Sequence, residues 1–415
     1  MGKEFFTLDD FFFDGKTVLV RVDINSPIDP ETGSLKEITK IKRHGETLLE
    51  LAEKGARVVA LSHQGREGES DFVPLKQHAK TASELLGVNI GYVDDVCGDK
   101  AVSAIKRLKP SEILLLENVR FVSEETKVKS LKEQLKTNLV RNLSTVSDIF
   151  VNDAFPAAHR SHVSLIAFTE VMPSAAGRVM EAEVKALSSI MNDPERPCVY
   201  LLGGSKIDDS FRVAENALKT GIADKVLVTG LLAVAFVAAR GVDVGEVNKR
   251  LIISKGASEY IEQTRKLMDA FGDKIKLPLD FALEINGERV EAEVGSLPHN
   301  AQIKDLGEQT ISEFAGILRK AKTIVINGPA GVYEDDRFSK GTEVLLKAIA
   351  ETQAFSLAGG GHTLEALEKF GVSSKISYVS TGGKAMLSLL AGEKLPAVEA
   401  LKKAYLRAVS EGKGE

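Results

Sequence analysis

The amino-acid sequence predicts an α/β fold built on parallel sheets, and two features of its patterning predict it. Short apolar runs alternate with longer amphipathic stretches along all 415 residues, and the runs are apolar at nearly every position. Parallel strands that are covered by helices on both faces have this unbroken apolar character. Strand–helix alternation of this kind forms right-handed βαβ units, which place the strands side by side in a sheet.

Nine segments are predicted as strands, with helices between them. The strands are 17–22, 57–62, 112–116, 148–151, 198–202, 225–229, 323–326, 354–358 and 376–380. The helices are 38–54, 208–220, 254–270, 341–352 and 397–410. A further helix over 181–191 ends at the sequence Asn-Asp-Pro-Glu-Arg-Pro, whose prolines break helices. The pattern restarts at Cys198, so this break divides the chain into two halves of similar size.

Composition excludes several classes of protein. The chain has 54 Lys and Arg against 59 Asp and Glu, a net charge of −5, whereas dedicated nucleic-acid binders usually have a basic excess. Its two cysteines exclude a disulfide scaffold. The most apolar stretch, 226–239, is shorter than a membrane span of about 20 residues and is predicted as a buried strand followed by a buried helix. The N-terminus lacks the unbroken apolar core of a signal peptide, so a cytoplasmic enzyme is predicted.

Charged and polar residues follow four predicted strands of the first half, in the segments 21–25, 62–66, 117–121 and 152–160. In open α/β sheets, ligands bind beyond the carboxyl ends of the strands. Arginine binds phosphate or carboxylate through paired hydrogen bonds, and Asp and Asn can bind hydroxyl groups. A small, anionic, hydroxylated ligand is therefore predicted. The alternative is that each arginine makes only a local salt bridge.

The histidines do not predict a metal site. His159 and His162 are three residues apart and could share a helix face, but no Cys or acidic third ligand follows at a spacing that suits zinc. His44, His78 and His299 are predicted to be surface or capping residues.

Glycines follow the strands of the second half, where the first half has arginines. They lie in the segments 203–206, 327–332, 359–363 and 381–383. Glycine lets backbone N–H groups come close to phosphate oxygens, and a helix N-terminus adds a favourable dipole. Several such loops favour a nucleotide phosphate site, although the P-loop and dinucleotide fingerprints are absent from the sequence. The first half is therefore predicted to bind a small anion and the second half a nucleotide. This combination predicts phosphoryl transfer, with hinge closure over both ligands.

Taken together, these motifs resemble the phosphoglycerate kinase family over essentially the whole chain. RVDIN at 21–25, SHQGR at 62–66, LLENVRF at 115–121 and VNDAFPAAHR at 151–160 resemble its substrate half; GGSK at 203–206, NGPAGVYE at 327–334, GGGHT at 359–363 and STGG at 380–383 resemble its nucleotide half. The resemblance implies two Rossmann-like parallel-sheet domains joined by a hinge helix. The expected limits are 1–180 for the 3-phosphoglycerate domain, 181–197 for the hinge helix and linker, and 198–396 for the nucleotide-binding domain, with 397–415 packing back on the first domain. The GGGHT form resembles the archaeal branch of the family.

The resemblance also implies the reaction. It is the reversible in-line transfer of the acyl phosphate of 1,3-bisphosphoglycerate to ADP, giving 3-phosphoglycerate and ATP, with Mg²⁺. The substrate carboxylate is itself an adequate nucleophile, so positioning and charge neutralisation are the main requirements. A monomer rather than a homodimer is predicted, with no nucleic-acid or membrane partner. A dinucleotide-dependent oxidoreductase and a two-lobed binding protein with a degenerate nucleotide site remain open alternatives.

Site residues are carried over from the family motif by motif. In the substrate site, Asp23 and Asn25 would hold the glycerate. His63 and three arginines, Arg66, Arg120 and Arg160, would bind the phosphate end of the substrate. The other residues expected in this site are Ile24, Lys40, Gln64 and Gly65. Lys206 would neutralise the phosphoryl group during transfer. In the nucleotide site, Asn327 and the helix start at 359–361 would bind the phosphates and Glu334 the ribose, and the full expected set is Gly203, Gly204, Lys206, Asn327, Pro329, Glu334, Gly359, Gly360, Gly361 and His362.

Several positions depart from the family pattern. Lys40 stands where the family usually has Arg, so Lys40 or the nearby Arg43 is the expected transition-state cation. Ser210 stands where many members have a second lysine, so a contact with the α-phosphate is expected to be lost or to be supplied by Arg212. His362 replaces an Asp that commonly contacts the metal; no metal ligand is assigned, and Mg²⁺ is expected to be held mainly by phosphates and water. Ile326 and Lys384 replace a usual Trp and a usual Gly.

Overall fold

The α/β class predicted from the sequence is confirmed. A computed structural model describes residues 3–29, 31–298 and 300–412, without the side chains of residues 257 and 258. The chain forms two units: unit 1 is Met1–Val184 with Lys394–Glu415, and unit 2 is Lys185–Glu393. The limit between the units lies inside the helix that the sequence places at 181–191.

Unit 1 contains a sheet of six strands that are all parallel, in the order β3-β4-β2-β1-β5-β6. The strands are β1 (Thr17–Arg21), β2 (Arg57–Leu61), β3 (Ile90–Tyr92), β4 (Ile113–Leu115), β5 (Ile149–Asn152) and β6 (Ser174–Ala176). The sequence predicted four of them. β3 and β6 have three residues each, too short for a recognisable apolar run.

Helices cover both faces of this sheet. The helices of this unit are α1 (Thr39–Glu53), α2 (Lys76–Leu86), α3 (Asp99–Arg107), α4 (Glu124–Lys127), α5 (Leu131–Gln134), α6 (Asn138–Ser144) and α7 (Val163–Ile166), and α8 (Arg178–Asn192) begins in unit 1 and ends in unit 2. Val18 of β1 packs with α1 and α2 in one apolar core, and its neighbour Leu19 packs with α3 and α6 in the other. Successive side chains of a strand point to opposite faces, so burial of both faces explains the unbroken apolar run.

Unit 2 repeats this plan with six parallel strands in the order β15-β14-β13-β7-β8-β9. A separate antiparallel sheet has the order β11-β10-β12. The strands are β7 (Cys198–Leu202), β8 (Lys225–Val228), β9 (Ile275–Lys276), β10 (Asp280–Ile285), β11 (Glu288–Glu293), β12 (Gln302–Leu306), β13 (Thr323–Asn327), β14 (Phe355–Gly359) and β15 (Tyr378–Val379). The antiparallel sheet was not predicted, because β11 is largely charged and exposed and carries no apolar run.

The helices of unit 2 are α9 (Ile207–Lys219), α10 (Gly230–Ala239), α11 (Glu246–Ser254), α12 (Ile261–Phe271), α13 (Glu308–Leu318), α14 (Lys340–Ala350), α15 (Gly361–Lys369) and α16 (Gly383–Leu390). The single helix predicted over 254–270 is wrong. The chain there has the end of α11, a 3₁₀ turn at Ala257–Tyr260 and then α12, and Gly256 has a positive φ of 71°, which a continuous right-handed helix does not contain. The apolar stretch 226–239 forms β8 and α10, as predicted.

The last helix, α17 (Pro396–Ser410), packs on unit 1. Ala397 N donates to Ala158 O at 3.1 Å, and Arg407 forms a 2.9 Å ion pair with Glu170. Residues 413–415 of the predicted returning segment lie outside the described residues. Within the described part of the chain, no helix is long and apolar enough to cross a membrane.

Short 3₁₀ helices complete the connections, at Leu8–Asp10, Val119–Phe121, Phe155–Ala157, Phe168–Glu170, Ala257–Tyr260, Val294–Ser296, Asp336–Phe338 and Ser373–Lys375.

Candidate active site

The four polar segments predicted for unit 1 follow β4, β2, β1 and β5, and these strands are adjacent in the sheet. Because all four are parallel, their carboxyl ends meet at one edge. The sheet therefore brings the predicted substrate residues together. In unit 2 the glycine segments at 203, 327 and 359 follow β7, β13 and β14, which are also adjacent.

Arg21 and His63 form the buried floor of the unit 1 edge. The Arg21 Nε donates to Ser164 Oγ at 2.8 Å, and its Nη2 lies 3.1 Å from His63 Nδ1. A guanidinium only donates, so Nδ1 accepts and a neutral ring carries its proton on Nε2. Burial, together with the nearby arginines, lowers the pKa of His63 well below 6.5, which keeps the ring neutral. Nε2 lies 3.4 Å from Arg160 Nη1, so two donors converge where a ligand oxygen could accept from both.

Asp23 and Lys40 form a pair beside this floor. The Lys40 Nζ lies 3.8 Å from Asp23 Oδ1 and donates to Asn25 O at 3.3 Å. Burial alone would raise the pKa of Asp23, but Lys40 and the neighbouring cations hold it well below its ordinary value. Asp23 is therefore an ionised acceptor at neutral pH. The Asn25 Oδ1 accepts from Gly65 N at 2.9 Å and joins the loops after β1 and β2.

A cleft of about 400 Å³ lies next to these groups. Arg66, Arg120, Arg160 and His162 are among the residues that line it. Burial, followed by repulsion from Arg160, lowers the pKa of Arg120 to about 10, so Arg120 stays charged at neutral pH. Three guanidinium groups around one cleft repel one another, and an anionic ligand would relieve that repulsion.

Not every predicted substrate residue is open to a ligand. The Gln64 side chain is fully buried, accepts from Ser26 N at 2.9 Å and donates to Ser26 O at 2.9 Å. Asn118, which the prediction did not select, donates to Gln64 O at 2.8 Å and accepts from Arg120 N at 3.1 Å. Ile24 is also buried. These residues hold the shape of the edge.

Arg43, the second candidate for the transition-state cation, lies on α1 one turn beyond Lys40 and is half-buried. Lys40 contacts both Asp23 and Asn25. The structure thus places the lysine directly beside two of the other substrate residues.

The prediction that His44 and His78 are surface or capping residues is wrong, because both side chains are completely buried. His44 Nδ1 lies 2.7 Å from Asp153 Oδ2, and His78 Nε2 lies 3.0 Å from Gln64 Oε1. Each occurs on an amphipathic helix and bonds to a polar partner far away in the sequence. His299 lies outside the described residues.

In unit 2, the loops after β7 and β13 are bonded to each other. Gly203 N donates to Asn327 O at 2.8 Å, and Gly204 N donates to Pro329 O at 2.9 Å. Gly328 has a φ of 83°, and a Cβ there would lie 2.4 Å from the Gly203 carbonyl. The N–H groups of Gly203 and Gly204 are therefore engaged within the protein, and these glycines serve the close approach of the two loops.

A cavity of about 280 Å³ opens beside these loops. It is lined by four of the predicted nucleotide residues, which are Gly204, Pro329, Glu334 and His362. Leu231, Val234 and Phe281 contribute apolar walls. The prediction missed these apolar residues, because nothing in an apolar run distinguishes a ligand wall from a core.

The start of α15 lies next to the β13 loop. Gly360 has a φ of 94°, and a Cβ there would lie 2.8 Å from Asn327 Oδ1. Thr363 Oγ1 accepts from Gly328 N at 2.8 Å and fixes the helix start. A Cβ on Gly361 would meet nothing within 4 Å, so there is space above this helix N-terminus. The first N–H groups of a helix have no partner within it and favour an anion there.

Lys206, Ser210 and His362 lie on the helices α9 and α15 of unit 2 or at their starts. Lys206 is exposed at the N-cap of α9. The Ser210 hydroxyl is buried, donates to Gly203 O at 3.2 Å and accepts from Asn327 Nδ2 at 3.1 Å. His362 is exposed, with Nδ1 3.6 Å from Glu365 Oε2. In the described part of the chain, no three His, Cys, Asp or Glu side chains are grouped so that they could hold a metal ion.

Known proteins resemble this chain along nearly its full length. The phosphoglycerate kinases of Methanobacterium bryantii and Methanothermus fervidus are 49% identical over 407 residues and 47% identical over 404 residues, covering 98% and 97% of this chain and 99% and 98% of those proteins. The crystal structure of phosphoglycerate kinase from Pyrococcus horikoshii OT3 matches with a TM-score of 0.89 and 42% identity, over 97% of this chain and 100% of that one. The structure from Coxiella burnetii matches with a TM-score of 0.83 and 30% identity, over the same shares.

Two parallel-sheet units, one with an arginine cleft and one with glycine turns at a helix start, define an α/β phosphotransferase. A family model described as phosphoglycerate kinase matches residues 8–393. The chain belongs to the phosphoglycerate kinase family, and its reaction is the reversible transfer of a phosphoryl group between 1,3-bisphosphoglycerate and ADP. The resemblance to archaeal members is confirmed, and the oxidoreductase and non-enzymatic alternatives are set aside.

Proposed function

We propose that unit 1 binds 3-phosphoglycerate and unit 2 binds the nucleotide. The observation that carries this assignment is the cleft of Arg66, Arg120 and Arg160 at the ends of adjacent strands. The arginines bind the phosphate end of the substrate. Ionised Asp23 accepts from its hydroxyl group, and the His63 Nε2–H donates to an anionic oxygen.

Unit 2 supplies a cavity for the nucleoside and an anion site for its phosphates. The apolar walls contact the base, Glu334 binds the ribose hydroxyls, and the N-terminus of α15 binds phosphate. Lys206 neutralises the phosphoryl group during transfer. Hinge closure between the units is the proposed step that brings the two ligands into line, with water excluded.

Mg²⁺ is the proposed co-ligand of the nucleotide. The chain offers it no cage of three or more ligand side chains in the described residues, and the imidazole nitrogen of His362 is a poor ligand for a hard cation that prefers oxygen. The ion is therefore proposed to bind the phosphates and water. No step above depends on a protein ligand to it.

The enzyme is further proposed to act as a monomer in the cytoplasm, as the family resemblance and the sequence predict. Light scattering of the purified protein at assay concentration would give the mass of one chain if the enzyme is a monomer. A mass of two chains would contradict it.

A coupled assay with 3-phosphoglycerate, ATP and Mg²⁺ tests the residue assignment. Lys206→Ala is expected to lower kcat by about a hundredfold or more, because it removes a charge that stabilises the transition state. Lys219→Ala is the matched control on the same helix, where exposed Lys219 pairs with Glu215, and it should retain kcat. A near-normal kcat for Lys206→Ala would contradict the assignment and move the role to Lys40 or Arg43.

A further inference from the structure

Lys384 is the second residue of α16, a position that does not favour a cation. The N-terminal end of a helix carries a partial positive charge, which repels a lysine in the first turn. Side chains of a helix also lean towards its N-terminus. The Lys384 side chain is thus directed past the start of α16, where its Nζ meets Asp209 of α9.

The helix that carries Lys384 packs against the turn at 359–361. The Met386 sulfur lies 2.3 Å from the position that a Cβ on Gly359 would take, so α16 packs directly against this turn. The Lys384 Nζ forms a 2.5 Å ion pair with Asp209 in the first turn of α9. Lys384 therefore bridges two helix starts at the proposed phosphate site.

The neighbouring residue on α9 is not available to a phosphate. Ser210, next to Asp209, is fully buried and bonded to Gly203 O and Asn327 Nδ2. Asn327 in turn abuts Gly360. The Ser210 hydroxyl is therefore engaged within the protein, and Lys384, through its ion pair with the adjacent Asp209, places a cation next to it.

The ion pair between Lys384 and Asp209 is suited to exchange. The Lys384 side chain is 52% exposed, so its ammonium group is open to solvent and to a ligand, whereas the Asp209 side chain is only 15% exposed. A nucleotide phosphate carries more negative charge than a carboxylate and accepts strong charge-assisted hydrogen bonds. It would compete with Asp209 for the ammonium group.

We propose that Lys384 releases Asp209 when nucleotide binds and then binds a nucleotide phosphate, supplying the charge that Ser210 does not. This inference rests on the proposed function, because it takes the start of α15 as the phosphate site. Lys384 acts in nucleotide binding, whereas Lys206 acts in the transfer step.

Steady-state kinetics of Lys384→Met test this role. The KM for ATP should rise about tenfold, the effect of losing one charge-assisted hydrogen bond, with kcat and the KM for 3-phosphoglycerate changed less than about threefold. Calorimetric titration with ADP should show the same loss of affinity. Lys384→Arg keeps the positive charge and should retain most of the affinity for ADP. Lys219→Met, an equal change of charge on α9 away from the site, should leave both values unchanged.

A second variant separates exchange from simple repulsion. Asp209→Asn should tighten ADP binding in the parent protein, because Lys384 no longer has a competing partner. In the Lys384→Met background the same substitution should have no effect. An equal gain in ADP affinity in both backgrounds would show that Asp209 only repels phosphate. It would overturn the proposal that Lys384 exchanges Asp209 for a phosphate.

An unchanged affinity for ADP in folded Lys384→Met, or an equal loss in Lys219→Met, would overturn the role of Lys384. Failure of the proposed function would be recognised separately, by a normal kcat in Lys206→Ala. The two results are independent, since one concerns nucleotide affinity and the other the rate of transfer.

Discussion

Arg21 and Glu125 are linked through Ser164 into a buried polar chain beneath the arginine cleft. The Ser164 hydroxyl donates to Glu125 Oε1 at 2.7 Å and accepts from Arg21 Nε at 2.8 Å. Burial raises the pKa of Glu125, and Arg21 opposes that rise. Arg21 is itself held against His63, so this chain fixes the histidine tautomer that presents Nε2–H to a ligand.

Arg66 offers the sharpest test of the substrate assignment at the scale of a residue. It is exposed and lines the cleft, so its loss should cost substrate affinity without unfolding unit 1. Arg66→Ala is expected to raise the KM for 3-phosphoglycerate at least tenfold and to leave the KM for ATP nearly unchanged. Arg141→Ala, an exposed arginine on α6, is the control. Equal effects of Arg66→Ala on both KM values would contradict the assignment.

The limits of sequence-based prediction are visible in this cleft. Arg66 and Arg120 were predictable, because they follow strands whose parallel carboxyl ends must meet at one edge. His162 lines the cleft and its Nδ1 lies 3.7 Å from Oε1 of the buried Glu125, a contact that tertiary packing creates and no sequence motif marks. Gln64 belongs to a strand-end motif but faces inward, and no pattern in the sequence distinguishes these two directions.

Helix α1 is tied to the first turn of α8 by polar contacts. The Thr47 hydroxyl accepts from Arg178 N at 3.0 Å, and Glu50 pairs with the Arg178 side chain at 2.7 Å. Asp153 accepts from Val179 N at 2.8 Å and lies 2.7 Å from His44 Nδ1. Since α1 also carries Lys40, these contacts fix the position of a substrate-site residue relative to the start of α8.

Asp153→Ala should therefore destabilise unit 1 strongly. The substitution leaves the completely buried His44 without its acceptor and removes the cap from the first turn of α8. We expect a loss of about 3 kcal/mol in the free energy of unfolding, measured by urea titration. Asp94→Ala, which removes an exposed pair with Lys100, should change it by less than about 0.5 kcal/mol. Similar small losses in both variants would show that the buried contact is not important for stability.

At the scale of the molecule, three buried or partly buried histidines of unit 1 have a lowered pKa. Burial lowers the pKa of His78 to about 4 and that of His162 to about 3, and it lowers the pKa of His63 well below 6.5. These groups are neutral in the folded protein at pH 6, whereas the unfolded chain would bind protons there. The two units are thus expected to respond differently to mild acid, although their sheets share one plan.

Stability of unit 1 should be greatest above pH 6.5 and fall as the pH falls below it. The unfolded state then binds protons that the folded state excludes, and each such histidine costs about 1.4 kcal/mol at pH 5.5. Hydrogen exchange resolved by peptide at pH 7.5 and 5.5, corrected for intrinsic rates, would report each unit separately. His78→Gln should reduce the loss of unit 1 stability between pH 7.5 and 5.5 by the contribution of one histidine. The reason is that Gln keeps an N–H near Gln64 without titrating. An unchanged pH dependence of unit 1 stability in His78→Gln would show that the buried histidines are not its source. An equal pH dependence in the two units of the parent protein would show the same.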